Sequence, residues 1–137
     1  MIDPLSLLID AGKITLDLLG KSQVRKDARR KDVAEYLAEI AKTIQDAANV
    51  FKKGEVPHGS CETMRLLALA LPNTIGDFVG KNEALDLQDK LLRAHNIETF
   101  MYDLSKKDKK GRAETIAKME QASGLFNAAA ITLRASR

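Results

Sequence analysis

The first predicted helix, residues 4–19, is apolar around almost its whole circumference. With the exception of one threonine, its polar side chains are spaced four, three and four residues apart, at Ser6, Asp10, Lys13 and Asp17. On a helix of about 3.6 residues per turn this spacing forms one narrow stripe, and apolar side chains fill the rest. Such a helix has to be covered by other helices, by a partner or by lipid. Both the fold and the function of the chain depend on which of these covers it.

The composition is typical of a single globular domain. The chain has 137 residues, 45% of them hydrophobic, so an apolar core can form without metal or disulfide support. The single cysteine excludes an intrachain disulfide and suggests a reducing compartment, so we expect a cytoplasmic protein. The longest dense apolar run, Leu66–Leu71, is far shorter than the ~20 residues that cross a bilayer, so we expect no spanning helix.

Four further segments have apolar residues at steps of three and four, a period that indicates amphipathic helices. No segment alternates with a period of two, so we expect no sheet. The short connections between segments favour antiparallel neighbours. The predicted fold is therefore an all-α, up-and-down antiparallel helical bundle of four to five helices. The predicted helices span residues 4–19, 22–53, 61–80, 82–105 and 112–133.

The predicted arrangement is one domain, residues 1–137, in which an apolar N-terminal helix (1–20) lies against a bundle core (21–137). In the alternative arrangement, helix 1 belongs to the core and helix 5 lies outside it. We expect Leu66–Leu71 at the centre of the bundle, because this run has no polar side chain. We expect Pro72 to kink or briefly break helix 3, since proline removes one backbone hydrogen bond.

Local signals give the expected helix ends. Ser60 is a suitable N-cap for helix 3, and Gly80 is its expected end. Leu85 belongs to the expected buried face of helix 4. Gly111 is expected to break the chain before helix 5 begins.

Few residues suit catalysis or metal binding. His95 and Glu98 have the spacing of a helical ligand pair, but a dinuclear carboxylate site needs a second such pair and two further glutamates. The glycines of residues 76–80 lie in and at the end of a predicted helix, whereas a phosphate loop joins a strand to a helix. We therefore expect a non-enzymatic protein without cofactor or metal.

Cys61 is the one candidate for a reactive group. It lies in the predicted first turn of helix 3, where the positive helix end can lower the pKa of a thiol, and His58 lies three residues before it. A redox or ligand-binding protein that uses Cys61 is therefore an alternative. Against it, a lone cysteine is usually a small buried apolar side chain.

Two basic clusters, residues 21–31 and 106–112, hold six and five cations respectively. In an up-and-down bundle they fall at opposite ends. Such clusters can bind anionic headgroups or nucleic-acid phosphates, or can simply keep the surface soluble. Neither cluster contains an aromatic side chain on which bases could stack, so we do not expect nucleic acid as a partner.

The first basic cluster directly follows the apolar helix, and this combination suits attachment to an anionic membrane, because apolar burial and headgroup attraction add. Helix 1 is too short to span, since ~16 residues at ~1.5 Å each give ~24 Å against a hydrocarbon core of ~30 Å. Burial of helix 1 inside the bundle is the competing interpretation. The candidate membrane or partner contacts are Leu5, Leu8, Ile9, Leu16, Arg25, Lys26, Arg29, Arg30 and Lys31.

Three features together resemble a known family: the first helix IDPLSLLIDAGKITLDLLG, the basic opening KSQVRKDARRK of helix 2, and the Val-Pro loop GEVPHGS before helix 3. Over roughly residues 1–105 the chain resembles the N-terminal four-helix bundles of cell-death effectors, the mixed-lineage kinase domain-like and HeLo-like domains. The resemblance implies a domain that perturbs membranes when it oligomerises. It also implies that helix 1 is the membrane-active element and that the basic residues bind acidic lipid.

The sequence thus predicts a non-enzymatic interaction or signalling module. It would act through a protein partner or self-association, as an oligomer at an anionic membrane surface that it contacts through helix 1. The first alternative is a purely soluble adaptor whose helix 1 never leaves the core. The second is the thiol protein that uses Cys61.

Overall fold

The computed structural model describes residues 4–20, 27–93 and 109–135. These ranges contain five α-helices and no strand, which confirms the predicted all-α helical bundle. The helices are α1 Pro4–Gly20, α2 Asp27–Lys52, α3 His58–Val79, α4 Lys81–Arg93 and α5 Lys109–Ala135.

The five helices form a closed ring. Around the ring, α2 packs between α5 and α3, α4 packs between α3 and α1, and α1 completes the circle against α5. Ser123 of α5 donates to the Ala41 carbonyl, and Arg112 of α5 donates to the Phe51 carbonyl. Because the residue numbers rise in α2 as they fall in α5, these two helices are antiparallel.

Helix α1 is covered by other helices of the same chain. It packs most extensively against α5, then against α4 and α3. Its polar stripe points to solvent as predicted, because Asp10, Lys13 and Asp17 are exposed. The buried side chains of α1 belong to the same apolar cluster as those of the other helices, so α1 is itself one member of the ring. The buried α1 residues of that cluster are Leu5, Leu8, Ala11 and Leu19.

Gly12 allows α1 to lie very close to α5. A Cβ atom at this position would stand 2.9 Å from the Leu125 Cβ and 3.5 Å from the Phe126 ring. The first distance is shorter than side-chain carbon atoms tolerate, so a larger residue would push the two helices apart. The glycine therefore belongs to the tight seam between α1 and α5.

The apolar run of α3 does not lie at the centre of the bundle, contrary to the prediction. Leu66 and Leu69 are 55% and 48% exposed, whereas Ala68 and Leu71 are buried. Consecutive residues of a helix point in directions about 100° apart, so an unbroken apolar run has to present part of its surface to solvent. The prediction that Leu85 belongs to the buried face of α4 is also wrong, since Leu85 is 45% exposed.

Helix α3 stays helical through Pro72, and a side chain of α4 compensates for the missing backbone donor. Since Pro72 has no N–H, the Ala68 carbonyl lacks its usual partner. The amide Nε2 of Gln88 donates to the Ala68 and Leu69 carbonyls, each at 3.2 Å. Gln88 thereby joins α4 to α3 and shows that the two helices, which meet at Gly80, are antiparallel.

The helix ends differ from the predictions by a few residues. Helix α3 begins at His58, after Pro57, and not at the expected cap Ser60. It ends at Gly80 as predicted, where a φ of 96° favours glycine. Helix α5 begins at Lys109, so Gly111 lies in its first turn and does not break the chain. The predicted start of helix 2 and the predicted second half of helix 4 lie outside the described residues.

Candidate functional site

At the start of α2, Arg29 is clasped to the end of α3. Its Nη2 lies 2.7 Å from Asp77 Oδ1 and 2.6 Å from the Thr74 carbonyl oxygen, and its Nε lies 3.2 Å from Asp77 Oδ2. The guanidinium also stands 5.8 Å from the centre of the Phe78 ring. The Asp77 carboxylate raises the pKa of Arg29, mainly through this hydrogen-bonded pair. The charge of Arg29 is therefore already balanced inside the protein.

A second contact farther along α2 holds the same pair of helices. The Tyr36 hydroxyl donates to the Leu67 carbonyl of α3. Burial raises the pKa of this hydroxyl, because the phenolate is poorly solvated there. Together with the Arg29 contacts, this hydrogen bond shows that α2 and α3 are antiparallel.

The α1 residues predicted to contact lipid or a partner are largely covered. Leu5 and Leu8 are 1% and 2% exposed, and Ile9 and Leu16 are half-buried against the core. A membrane or partner would therefore have to displace α4 or α5 before it reached the apolar side of α1. Sequence reasoning identified these residues as apolar but could not tell what covers them.

The basic residues predicted at the start of α2 have different surroundings. Arg29 is clasped, Arg30 is half-buried and Lys31 is exposed. Arg25 and Lys26 lie outside the described residues. Of the described cations in this group, only Lys31 is an exposed residue.

At the opposite end of α2, Arg112 of α5 also contacts a backbone carbonyl and a phenylalanine ring, but it does so without an ion pair. Its Nη2 donates to the Phe51 carbonyl at 3.0 Å, and its guanidinium stands 5.3 Å from the centre of the Phe51 ring. Within the described ranges no carboxylate forms an ion pair with Arg112. The contact therefore binds α5 to the last turn of α2 without cancelling the positive charge.

The antiparallel pairs place four helix ends at the same end of the bundle as Arg112: the end of α2, the start of α3, the end of α4 and the start of α5. Residues 49–62, 89–93 and 109–114 make up this region, which we call the cationic end. It contains seven Lys or Arg and four Asp or Glu, a net charge of +3. The opposite ends of the same helices, residues 27–32, 75–86 and 131–135, carry five of each and no net charge.

Three half-exposed leucines form an apolar strip on the outer side of α3 and α4. We call Leu66, Leu69 and Leu85 the leucine strip; they are 55%, 48% and 45% exposed. Gln88 lies one turn after Leu85 and reaches the Leu69 carbonyl, so Leu85 and Leu69 lie close along the same helix pair. The unbroken run Leu66–Leu71 contains two of these leucines, but its hydrophobicity alone predicts a position in the core.

Cys61 is buried in the first turn of α3. It is 8% exposed, and its backbone N–H donates to the Pro57 carbonyl at 3.0 Å. His58, the predicted neighbour, is exposed. A thiol in this position is shielded from solvent, which favours a packing role over a reactive one.

A shallow groove of about 430 Å³ lies between α2 and α5. Its floor is made of small side chains, among them Ala41, Ser123 and Gly124, and its rim carries Lys42 and Glu120. The described residues contain no group of three or more His, Cys, Asp or Glu that could hold a metal ion. The Ser123 hydroxyl in this groove donates to the Ala41 carbonyl, so it serves the packing of α5 on α2.

Among the described helices, none has the length and apolar character needed to span a bilayer. No protein-family model, no curated protein and no solved structure matches the chain. The resemblance to cell-death effector domains therefore stays a prediction.

Proposed function

We propose that the protein is a non-enzymatic interaction module that attaches to an anionic membrane surface through its cationic end. The observation that carries this proposal is the net charge of +3 over the described residues of that end, against zero over the described residues at the opposite ends of the same helices. The attachment differs from the one expected from the sequence, because α1 stays in the ring and the clasped Arg29 takes no part.

The side chains at the cationic end suit a flat anionic surface. Lys53 and Lys110 are exposed, and Lys90 is half-exposed. Lysine has a long flexible stem, so these ammonium groups can reach headgroups without any change in the helices. Each basic residue near an acidic lipid surface contributes about 1 kcal/mol, so a few of them support weak, salt-sensitive binding.

Insertion of α1 would have a high cost. It would uncover Leu5 and Leu8, break the close seam at Gly12, and bring Asp10 and Asp17 to the lipid. Surface attachment through the cationic end needs none of these changes. The proposal therefore keeps the bundle closed on the membrane.

Vesicle sedimentation tests the proposal. We expect the protein to pellet with phosphatidylcholine vesicles that contain phosphatidylserine, but not with phosphatidylcholine alone, and to be released by high salt. The variant Lys53→Glu/Lys110→Glu should bind at least about tenfold more weakly than the wild type. Circular dichroism verifies that each variant is folded.

Two matched variants make the same change in net charge elsewhere. Lys13→Glu/Lys42→Glu alters exposed lysines in the middle of α1 and α2, and should leave binding close to the wild-type value. Arg25→Glu/Lys26→Glu alters the cluster predicted from the sequence before α2. Equal losses in all three variants, or a loss confined to Arg25→Glu/Lys26→Glu, would contradict attachment through the cationic end.

A soluble adaptor is the second candidate function. The burial of Leu5 and Leu8 of α1 against the other helices favours it, because these side chains are then not presented to lipid. Its prediction is the absence of pelleting at any salt while the protein remains folded. Binding to a duplex oligonucleotide in place of vesicles would point instead to nucleic acid.

A further inference from the structure

We draw no further inference here: the strongest candidate, the leucine strip of Leu66, Leu69 and Leu85 on the outer side of α3 and α4, is an exposed apolar surface, and nothing in the structure shows what covers it.

Discussion

The two ends of α2 are fixed by arginines that use similar contacts with different electrostatic results. Arg29 and Arg112 each donate to a backbone carbonyl and each stand over a phenylalanine ring, at 5.8 and 5.3 Å respectively. Arg29 also pairs with Asp77, whereas Arg112 pairs with no carboxylate in the described ranges. An arginine that belongs to a basic sequence cluster can therefore either join two helices through an ion pair that balances its charge, or contribute positive potential at the surface.

This difference separates stability from surface charge. The Arg29 contact joins α2 to α3, and the described residues at its end of the four helices carry no net charge. The Arg112 contact joins α2 to α5 and keeps its charge at the cationic end. Substitution of either arginine should therefore lower the stability of the protein. At Arg29 an ion pair is lost, whereas at Arg112 only a hydrogen bond to a carbonyl and a ring contact are lost.

We expect Arg29→Ala to have the largest effect on stability. It removes the paired hydrogen bonds to Asp77, the hydrogen bond to the Thr74 carbonyl and the contact with Phe78. Both charged side chains are partly exposed, so after allowance for solvent screening we expect a loss of about 1–2 kcal/mol in the free energy of unfolding. Urea denaturation followed by circular dichroism measures it.

Lys31→Ala is the matched control, since Lys31 is the exposed cation two residues away. It should change the free energy of unfolding by less than about 0.5 kcal/mol. Equal effects of the two substitutions would show that Arg29 is not a clasp, and the contrast between the two ends of α2 would be lost.

The sequence allowed the helical class and the polar stripe of α1 to be predicted, because both depend on local spacing. Ser6, Asp10, Lys13 and Asp17 follow the helix period, and the last three are exposed. The role of Arg29 was beyond sequence reasoning, since its partner Asp77 lies 48 residues away. Only the packing of α2 on α3 brings the two side chains together.

The leucine strip shows a second limit. Hydrophobicity identified Leu66–Leu71 as important but did not tell which side of α3 meets the core. A lone helix has no preferred inner side when every residue is apolar. The position of α4 on α3 decides which leucines remain exposed. The hydrogen bonds from Gln88 to the Ala68 and Leu69 carbonyls hold α4 in this position.

Arg112→Ala should destabilise the protein by about 1 kcal/mol, which is less than the effect at Arg29 because no ion pair is lost. The last turn of α2 loses a donor to the Phe51 carbonyl and a cation over the Phe51 ring. Arg112→Lys keeps the charge but not the planar group, so it should restore vesicle binding more fully than stability. Denaturation and vesicle sedimentation of the two variants measure these effects side by side; a loss of stability at Arg112→Ala greater than at Arg29→Ala would reverse the comparison.

Gln88→Ala tests a neutral contact to the same helix that Arg29 holds. The Ala68 carbonyl loses the donor that replaces the missing N–H of Pro72, and we expect a loss of about 0.5–1 kcal/mol. In a Pro72→Ala background the backbone N–H is present, so the same substitution should cost less. A double-mutant cycle measures this coupling. Equal losses in the two backgrounds would mean that Gln88 does not compensate for the proline.

Salt should produce the smallest effect and the sharpest test of the contrast between the arginines. High concentrations of sodium chloride screen the Arg29–Asp77 pair, which is partly exposed, with side chains 33% and 49% accessible. The difference in unfolding free energy between wild type and Arg29→Ala should therefore shrink by a few tenths of a kcal/mol at about 1 M salt. The corresponding differences for Arg112→Ala and Gln88→Ala should stay constant, because neutral carbonyl acceptors are little affected by screening. A salt response of the same size in all three variants would mean that the Arg29 contact holds α3 through its carbonyl and ring contacts, and that the carboxylate adds little.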